Sequence, residues 1–180
     1  MKKVIISGFG GQGVLSLGKF IAESALSQKW NTSWMPSYGP EMRGGTCNCT
    51  VQYDAKNEIA APVVDSIDIL VALNDPSMAK FAPKVVKGGI IVTNSNIVVN
   101  TKVNKDAKVY EVPVQDLALK AGNPRGGNVI MLGILVGLVG DFSFEAAEDA
   151  VRKSFADKPK VIEPNIACLK AGIEFAKGLK

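Results

Sequence analysis

The chain has 180 residues, a formal net charge of +4 and no histidine. With 47% hydrophobic and 21% charged residues, its composition is typical of one globular domain and excludes a disordered chain. Charges of both signs are scattered along it, so the composition disfavours a dedicated nucleic-acid binder. The absence of histidine removes the commonest general base and any Ser/His/Asp or Cys/His nucleophile system.

The chain contains three cysteines, Cys47, Cys49 and Cys168. They are too few and too unevenly spaced for a disulfide framework. Without histidine they also fall short of the roughly four ligands of a usual zinc or iron-sulfur site. We therefore interpret them as reduced core thiols and expect this chain to bind no metal.

The N-terminal residues lead at once into an apolar run and a glycine-rich turn, without the cleavage site of a secretory signal. We therefore expect a cytoplasmic protein. The longest apolar stretch, 129–139, is well short of the roughly 20 residues that cross a bilayer, which predicts a buried helix.

The hydrophobic pattern predicts strands that alternate with helices. We expect strands at 4–6, 32–35, 46–53, 67–73, 90–93 and 109–112. We expect helices at 14–28, from 75 onwards, at 115–120, at 129–139, after a Ser143 cap, and from Pro164 to near the C-terminal end. This alternation predicts an α/β fold, one domain over residues 1–180, in which three layers place helices on both faces of an open, mostly parallel sheet. Ligands of such sheets bind outside the carboxyl ends of the strands.

The first motif lies between the first strand and the first helix. Its residues are Gly8-Phe9-Gly10-Gly11-Gln12-Gly13, which match G-x-G-x-x-G in a Rossmann-like turn. Such glycines let backbone amides at a helix N-terminus approach a phosphate or carboxylate. However, no acidic residue follows the second strand, as a nicotinamide site requires, and no Lys-Ser or Lys-Thr makes it a Walker loop. The motif predicts either an anion site or a structural turn that binds nothing.

A second candidate is the loop 37–45, which we expect beside the glycine turn. Its candidate residues are Ser37, Tyr38, Arg43, Gly44 and Gly45. Arg43 offers a planar donor fork for a carboxylate or phosphate, the glycines allow close approach, and Tyr38 adds a flat contact surface. The alternative is a surface loop in which Arg43 pairs with Glu41 or a helix end.

A third candidate precedes the apolar helix, in the segment 123–128. Asn128 is suited to capping that helix. The alternative is that Arg125 and Asn128 reach the same crevice as the first two loops.

These motifs together resemble the gamma subunit of 2-oxoacid:ferredoxin oxidoreductases. The resemblance is carried by the turn 8–14, the loop 37–46, and Asn128 with Leu132-Gly133. It implies a multi-subunit enzyme that oxidatively decarboxylates a 2-oxoacid to an acyl-CoA and carbon dioxide. The implied partners are alpha, beta and, in some complexes, delta subunits, with ferredoxin as electron acceptor and with neither nucleic acid nor a membrane involved. 2-Oxoglutarate is the favoured substrate, then pyruvate or a branched-chain oxoacid.

The resemblance also implies how the cofactors are divided. Thiamine diphosphate lies between alpha and beta, and iron-sulfur (4Fe-4S) clusters lie on beta, delta or fused segments. This chain has no Gly-Asp-Gly thiamine motif and no cysteine-rich cluster motif. We therefore expect no catalytic residue here and a structural, gating role at the alpha–beta interface or beside the coenzyme A path. The cofactor-binding candidates are Gly8, Gly10, Gly11, Gln12, Gly13, Ser37, Tyr38, Arg43, Gly44, Gly45 and Asn128.

Two other interpretations compete with this one. An autonomous nucleotide-dependent oxidoreductase is disfavoured by the missing ribose-binding acid and the absence of histidine. A non-enzymatic, dinucleotide-binding sensing or interaction module is the other, and it predicts a chain that is stable without partners. A subunit is instead expected to expose an apolar patch when isolated.

Overall fold

The computed structural model describes residues 1–39, 45–101 and 104–179. The strands are β1 (Lys2–Phe9), β2 (Asn31–Tyr38), β3 (Thr46–Asp54), β4 (Ile67–Ala72), β5 (Val85–Asn94) and β6 (Lys108–Val112). The helices are α1 (Val14–Ser27), α2 (Asp75–Phe81), α3 (Val114–Lys120), α4 (Gly127–Val139), α5 (Phe144–Ser154) and α6 (Ile162–Lys177). The strands form one sheet in the order β2-β3-β1-β4-β5-β6.

The sheet is mostly parallel. β1, β4, β5 and β6 run in the same direction, and β3 lies antiparallel between β1 and β2. The predicted α/β fold with an open, mostly parallel sheet is therefore confirmed. The direction of β3 was not predicted, because an alternating pattern marks a strand without saying which neighbour it joins.

Helices lie on both faces, as predicted, but unequally. The larger core packs α1, α3, α4, α5 and α6 against one face, around buried residues such as Ile6, Val71 and Leu132. The smaller core packs α2 against the other face, around Leu70 and Met78. Since α2 contacts β1 and β4, no helix of the described ranges covers β2 and β3 on that side.

Helix α4 is apolar all round, and its residues from Val129 to Val136 are buried. It packs closely on α6, where a Cβ added to Gly133 would lie 3.0 Å from the Gly172 Cα. The predicted buried helix is thus confirmed. Within the described ranges, none of the helices combines the length and the hydropathy that crossing a bilayer requires.

Several element ends differ from the predictions. The cap of α5 is as expected, with Ser143 Oγ accepting a hydrogen bond from Ala146 N at 3.1 Å. Helix α2 is capped by Asn74, one residue earlier than predicted, through a 2.9 Å bond from Ser77 N. Helix α6 begins before Pro164, which lies in the first turn, where a missing N–H is tolerated.

The strand predicted at 90–93 is longer than expected, because β5 starts at Val85 and continues through Gly88 and Gly89. Glycine pairs usually indicate a turn, but here Gly88 takes a positive φ of 76° within the strand. The three cysteines are buried and free, as predicted.

Candidate anion-binding site

A cleft of about 480 Å³ opens at the carboxyl ends of β1, β4 and β5. Its walls come from the glycine turn after β1, the segment after β5, the start of α3 and the start of α4. The location agrees with the rule that ligands of open α/β sheets bind beyond the carboxyl ends of the strands.

The glycine turn brings the chain from β1 into α1. Gly11 and Gly13 have positive φ values of 97° and 79°, which glycine adopts without steric cost. Gly8 lies behind the turn, where an added Cβ would be 3.1 Å from the Leu73 Cβ. Gly11 and Gly13 line the cleft. Gly8 does not, and its lack of a side chain allows β1 to pack against the end of β4.

Gln12 ties this turn to the neighbouring strand. Its Oε1 accepts hydrogen bonds from Phe9 N at 2.6 Å and from Asn74 Nδ2 at 3.4 Å. Its Nε2 donates to the carbonyl oxygen of Leu73 at 3.1 Å. Because both ends of the amide bond to the protein, Gln12 positions the turn, although it also borders the cleft.

Two helix N-termini converge on the cleft. α1 and α4 both follow a glycine N-cap, Gly13 and Gly126, which has no side chain to accept a capping hydrogen bond. Neither first turn contains an acidic residue. Since each N-terminus carries about half a positive charge and unpaired amides, the two ends together favour an anion.

Asn128 joins the two ends. It is the second residue of α4 and not its N-cap, and its Oδ1 accepts from Val129 N at 3.0 Å. It lies so close to the glycine turn that a Cβ on Gly13 would be 2.9 Å from the Asn128 Cβ. The capping alternative is therefore wrong, and the structure brings Asn128 to the crevice.

Arg125 lies at the mouth of this cleft, exposed to solvent. Among the described residues that line the cleft, it is the one charged side chain. Leu17, Leu73 and Met131 supply apolar wall. The cleft therefore has the chemistry of a site for a ligand that carries both anionic and apolar groups.

Gly45, which directly precedes β3, lies beside the glycine turn, because Gly10 N donates to its carbonyl oxygen at 3.0 Å. Arg43 and Gly44 lie outside the described residues, and their roles stay predictions. Ser37 pairs with Asn48 of β3 and is not brought into the cleft. Tyr38, described by its backbone, pairs with Cys47.

The sequence motifs did not indicate the contribution of β5 and α3. Asn94, at the end of β5, and Gln115, at the start of α3, both line the cleft. Asn94 Oδ1 accepts from Asn96 N at 3.1 Å, and Asn96 Oδ1 accepts from Gln115 N at 3.0 Å. The carboxyl end of β5 was the available signal, because it is adjacent to that of β4 in a parallel sheet.

Metal chemistry has no support in the part of the chain that the structure describes. That part contains no group of three or more cysteine, aspartate and glutamate side chains arranged to hold an ion. Burial raises the pKa of the Cys49 thiol to about 12, so this thiol stays protonated at neutral pH.

The sheet, the turn and the cleft define an α/β domain with a Rossmann-like glycine turn and an anion-suited crevice. The model of the family "Pyruvate ferredoxin/flavodoxin oxidoreductase" matches residues 3–175. The chain therefore belongs to this family, and the resemblance predicted from the motifs is confirmed.

Known proteins similar to this chain differ in length. The ketoisovalerate oxidoreductase subunit VorA of Methanothermobacter thermautotrophicus is 42% identical over 97% of this chain and 36% of its own length. The chain thus spans about a third of that relative. The crystal structure of the keto/oxoacid ferredoxin oxidoreductase gamma subunit from Geobacter sulfurreducens PCA has a TM-score of 0.84 and 27% identity, and the match covers 99% of both chains.

A second similar structure is the 2-oxoglutarate:ferredoxin oxidoreductase from Magnetococcus marinus, with 2-oxoglutarate, coenzyme A and succinyl-CoA bound. Its TM-score is 0.88 at 21% identity, over 99% of this chain and 31% of that one. This likeness shows the fold.

Proposed function

We propose that this chain, as one gamma domain over residues 1–180, is the gamma subunit of a 2-oxoacid:ferredoxin oxidoreductase. It works with alpha and beta subunits, and with a delta subunit in some complexes, to convert a 2-oxoacid and coenzyme A to an acyl-CoA and carbon dioxide. The electrons pass to ferredoxin. Thiamine diphosphate and the 4Fe-4S clusters belong to the partner chains. Family membership and the end-to-end match with a gamma subunit support this proposal.

Within this complex, we assign the cleft to the phosphate end of coenzyme A. Coenzyme A carries a pyrophosphate and a further phosphate on one end and a long uncharged arm on the other. The observation that carries the assignment is the convergence of two uncapped helix N-termini and Arg125 in one cleft. The apolar wall of Leu17, Leu73 and Met131 suits the uncharged parts of the ligand.

The 2-oxoacid is proposed as 2-oxoglutarate or a branched-chain oxoacid. The sequence motifs favour the former, and the likeness to a ketoisovalerate oxidoreductase subunit favours the latter. Both are consistent with a gamma subunit, because in this proposal the thiamine site that selects the oxoacid lies on the partner chains. Viologen reduction by the native complex, with each oxoacid and coenzyme A in turn, identifies the substrate.

The test of the coenzyme A assignment uses the complex purified without oxygen. Replacing Arg125 by alanine removes a charge-assisted contact, so we expect the KM for coenzyme A to rise about tenfold while the KM for the oxoacid stays unchanged. Lys19→Ala, which removes one exposed positive charge from α1, is the matched control. Arg43→Ala is expected to weaken coenzyme A binding in the same way.

The possible results separate the two parts of the proposal. If the tagged chain brings down no thiamine-binding or iron-sulfur chain from its native host, the subunit assignment is wrong. If the complex is active but Arg125→Ala leaves the KM for coenzyme A unchanged, the subunit assignment stands and the coenzyme A assignment is wrong.

A further inference from the structure

The cleft wall that β5 and α3 form is connected through a residue outside the cleft, Asn96. Its backbone N–H donates to Asn94 Oδ1 at 3.1 Å, and its side-chain Oδ1 accepts from Gln115 N at 3.0 Å. Its Nδ2 donates to Asp116 Oδ2 at 3.1 Å. Asn94 and Gln115 line the cleft, whereas Asn96 and Asp116 do not. One exposed residue thus connects two cleft residues that lie on different elements.

Helix α3 needs such a connection. It has seven residues, fewer than the roughly 12 at which an isolated helix becomes even marginally stable. Its N-cap is Pro113, whose side chain has no group that accepts a capping hydrogen bond. Asn96 supplies the oxygen that an N-cap side chain normally offers to the second or third amide of a helix. The cap of α3 therefore comes from the segment after β5.

The two sides of α3 are held differently. Val114 and Ala118 are buried in the larger core, next to α4. Gln115 and Asp116, on the other side, are exposed. The ladder between β5 and β6 ends at Val112, just before the helix. Beyond this ladder, the hydrogen bonds that join α3 to the segment after β5 in the described structure are those of the Asn96 side chain.

The segment that carries Asn96 is itself anchored. Val98 is buried in the smaller core beneath α2. Asp75 Oδ1, at the start of α2, accepts hydrogen bonds from Val99 N at 3.1 Å and from Asn100 N at 3.0 Å. Ile97 lies between these anchors and Asn96, and it lines the cleft. Because the segment is fixed on the α2 side, Asn96 holds α3 in place and does not simply move with it.

We propose that Asn96 is a positioning residue for coenzyme A binding; this inference rests on the proposed function. Asn96 acts through Asn94 and Gln115 and does not itself contact the ligand. Its two side-chain bonds set the separation between the end of β5 and α3, so the cleft is already shaped before the ligand enters. Without them, binding must first restore this arrangement, which weakens affinity. The oxoacid reacts on the partner chains in the proposed function, so its KM and the kcat do not depend on Asn96.

The experiment is a cycle of substitutions in the complex purified without oxygen. Asn96→Ala removes both side-chain bonds, so we expect the KM for coenzyme A to rise about fivefold, while kcat and the KM for the oxoacid stay unchanged. Asn96→Asp keeps the acceptor for Gln115 N but places a second carboxylate against Asp116, and we expect a rise of similar size. Asp116→Asn keeps an oxygen that accepts from Asn96 Nδ2, so its KM is expected to change less than about twofold.

The double variant Asn96→Asp/Asp116→Asn exchanges the two side chains. The carboxylate at position 96 then accepts from Gln115 N and from the new amide at position 116, so we expect the KM for coenzyme A to return to within about twofold of the wild type. Asn104→Ala is the matched control. It also removes two side-chain bonds to another segment, to the carbonyl oxygens of Ala82 and Val85, but at the amino end of β5, and it is expected to leave this KM unchanged.

Hydrogen exchange of the complex gives a readout besides activity, because the Gln115 amide is expected to exchange faster in Asn96→Ala and at the wild-type rate in Asn104→Ala. The proposal is overturned if Arg125→Ala raises the KM for coenzyme A but Asn96→Ala does not. An equal rise in Asn104→Ala, or a double variant as weak as Asn96→Asp, also overturns it. If Arg125→Ala has no effect either, the coenzyme A assignment fails and this inference fails with it. A wild-type chain without oxidoreductase partners overturns the proposed function itself.

Discussion

Replacing Gly13 by alanine tests whether the glycine turn is fixed by its fit to α4. Two effects act at this position. The φ of 79° disfavours any residue with a Cβ, and that Cβ would lie 2.9 Å from the Asn128 Cβ. Gly88→Ala is a matched control, because Gly88 has a similar φ of 76° and no atom lies within 4 Å of its added Cβ.

The magnitudes follow from these two effects. A left-handed backbone costs a non-glycine residue about 1–2 kcal/mol, and both variants carry this cost. Overpacking adds roughly 1–3 kcal/mol at Gly13 alone. We expect Gly88→Ala to lower the free energy of unfolding by about 1–2 kcal/mol and Gly13→Ala by about 2–5 kcal/mol. At roughly 2–4 °C per kcal/mol for a chain of this size, Gly13→Ala lowers the Tm by about 10 °C.

Urea unfolding followed by circular dichroism measures both values, with the m-value as a check for two-state unfolding. A second substitution, Asn128→Gly, is added to the Gly13→Ala variant and removes the Cβ that the new methyl group would contact. We expect it to restore most of the difference in the free energy of unfolding between Gly13→Ala and Gly88→Ala. The reasoning is refuted if Gly13→Ala is as stable as Gly88→Ala, or if Asn128→Gly restores nothing. Either result would mean that α4 moves away from the turn without cost.

Three further predictions concern the core and the turn. Gly133→Ala places a Cβ against the backbone of α6, so we expect the free energy of unfolding in urea to fall by about 2 kcal/mol. Gly178→Ala is the control and is expected to leave the stability unchanged, because the nearest neighbour of its added Cβ lies 3.5 Å away. Equal stabilities of the two variants would contradict the close α4–α6 packing. Gln12→Glu keeps the acceptor for Phe9 N but cannot donate to the Leu73 carbonyl oxygen, so we expect the free energy of unfolding at neutral pH to fall by about 1–3 kcal/mol. Wild-type stability of this variant would show that the bond to Leu73 is dispensable. Burial raises the pKa of Cys49 to about 12, while an unfolded thiol titrates near 8.5. The unfolded state therefore loses its proton first as the pH rises. We expect the stability advantage of the wild type over Cys49→Ala to fall by about 1.4 kcal/mol per pH unit between about pH 9 and 11, measured by urea unfolding at each pH. A constant difference would show that the thiol titrates normally in the fold.

The local pattern of the sequence determined most of the elements. Strand positions, the buried helix α4 and the Ser143 cap follow from hydrophobic period, run length and capping chemistry, which act over a few residues. The glycine spacing likewise determined the turn after β1, because only glycine readily takes the φ values that Gly11 and Gly13 require. The family resemblance rests on the same short segments.

Element boundaries were less predictable where tertiary contacts extend an element beyond its local signal. β5 extends back to Val85 because Val85 pairs with Ile67 of β4, and Gly88 and Gly89 lie in the irregular stretch between that pair and the next one, Ile69 with Ile90. Asn74, and not Asp75, caps α2, and it also bonds to Gln12 of the glycine turn. In both cases the deciding partner is distant in sequence from the element whose end it sets.

Tertiary structure alone decided how the site is assembled. Gln12 donates to the carbonyl oxygen of Leu73, which is 61 residues away in sequence. The pairing of β1 with β4 brings the two residues together. Asn128 meets Gly13 because α1 and α4 pack on the same face of the sheet. α2 does not cover β2 and β3, because β3 joins β1 on the side away from β4. Such placements depend on which elements become neighbours, and that follows from packing the whole chain, since the pattern of one segment carries no information about its distant partners.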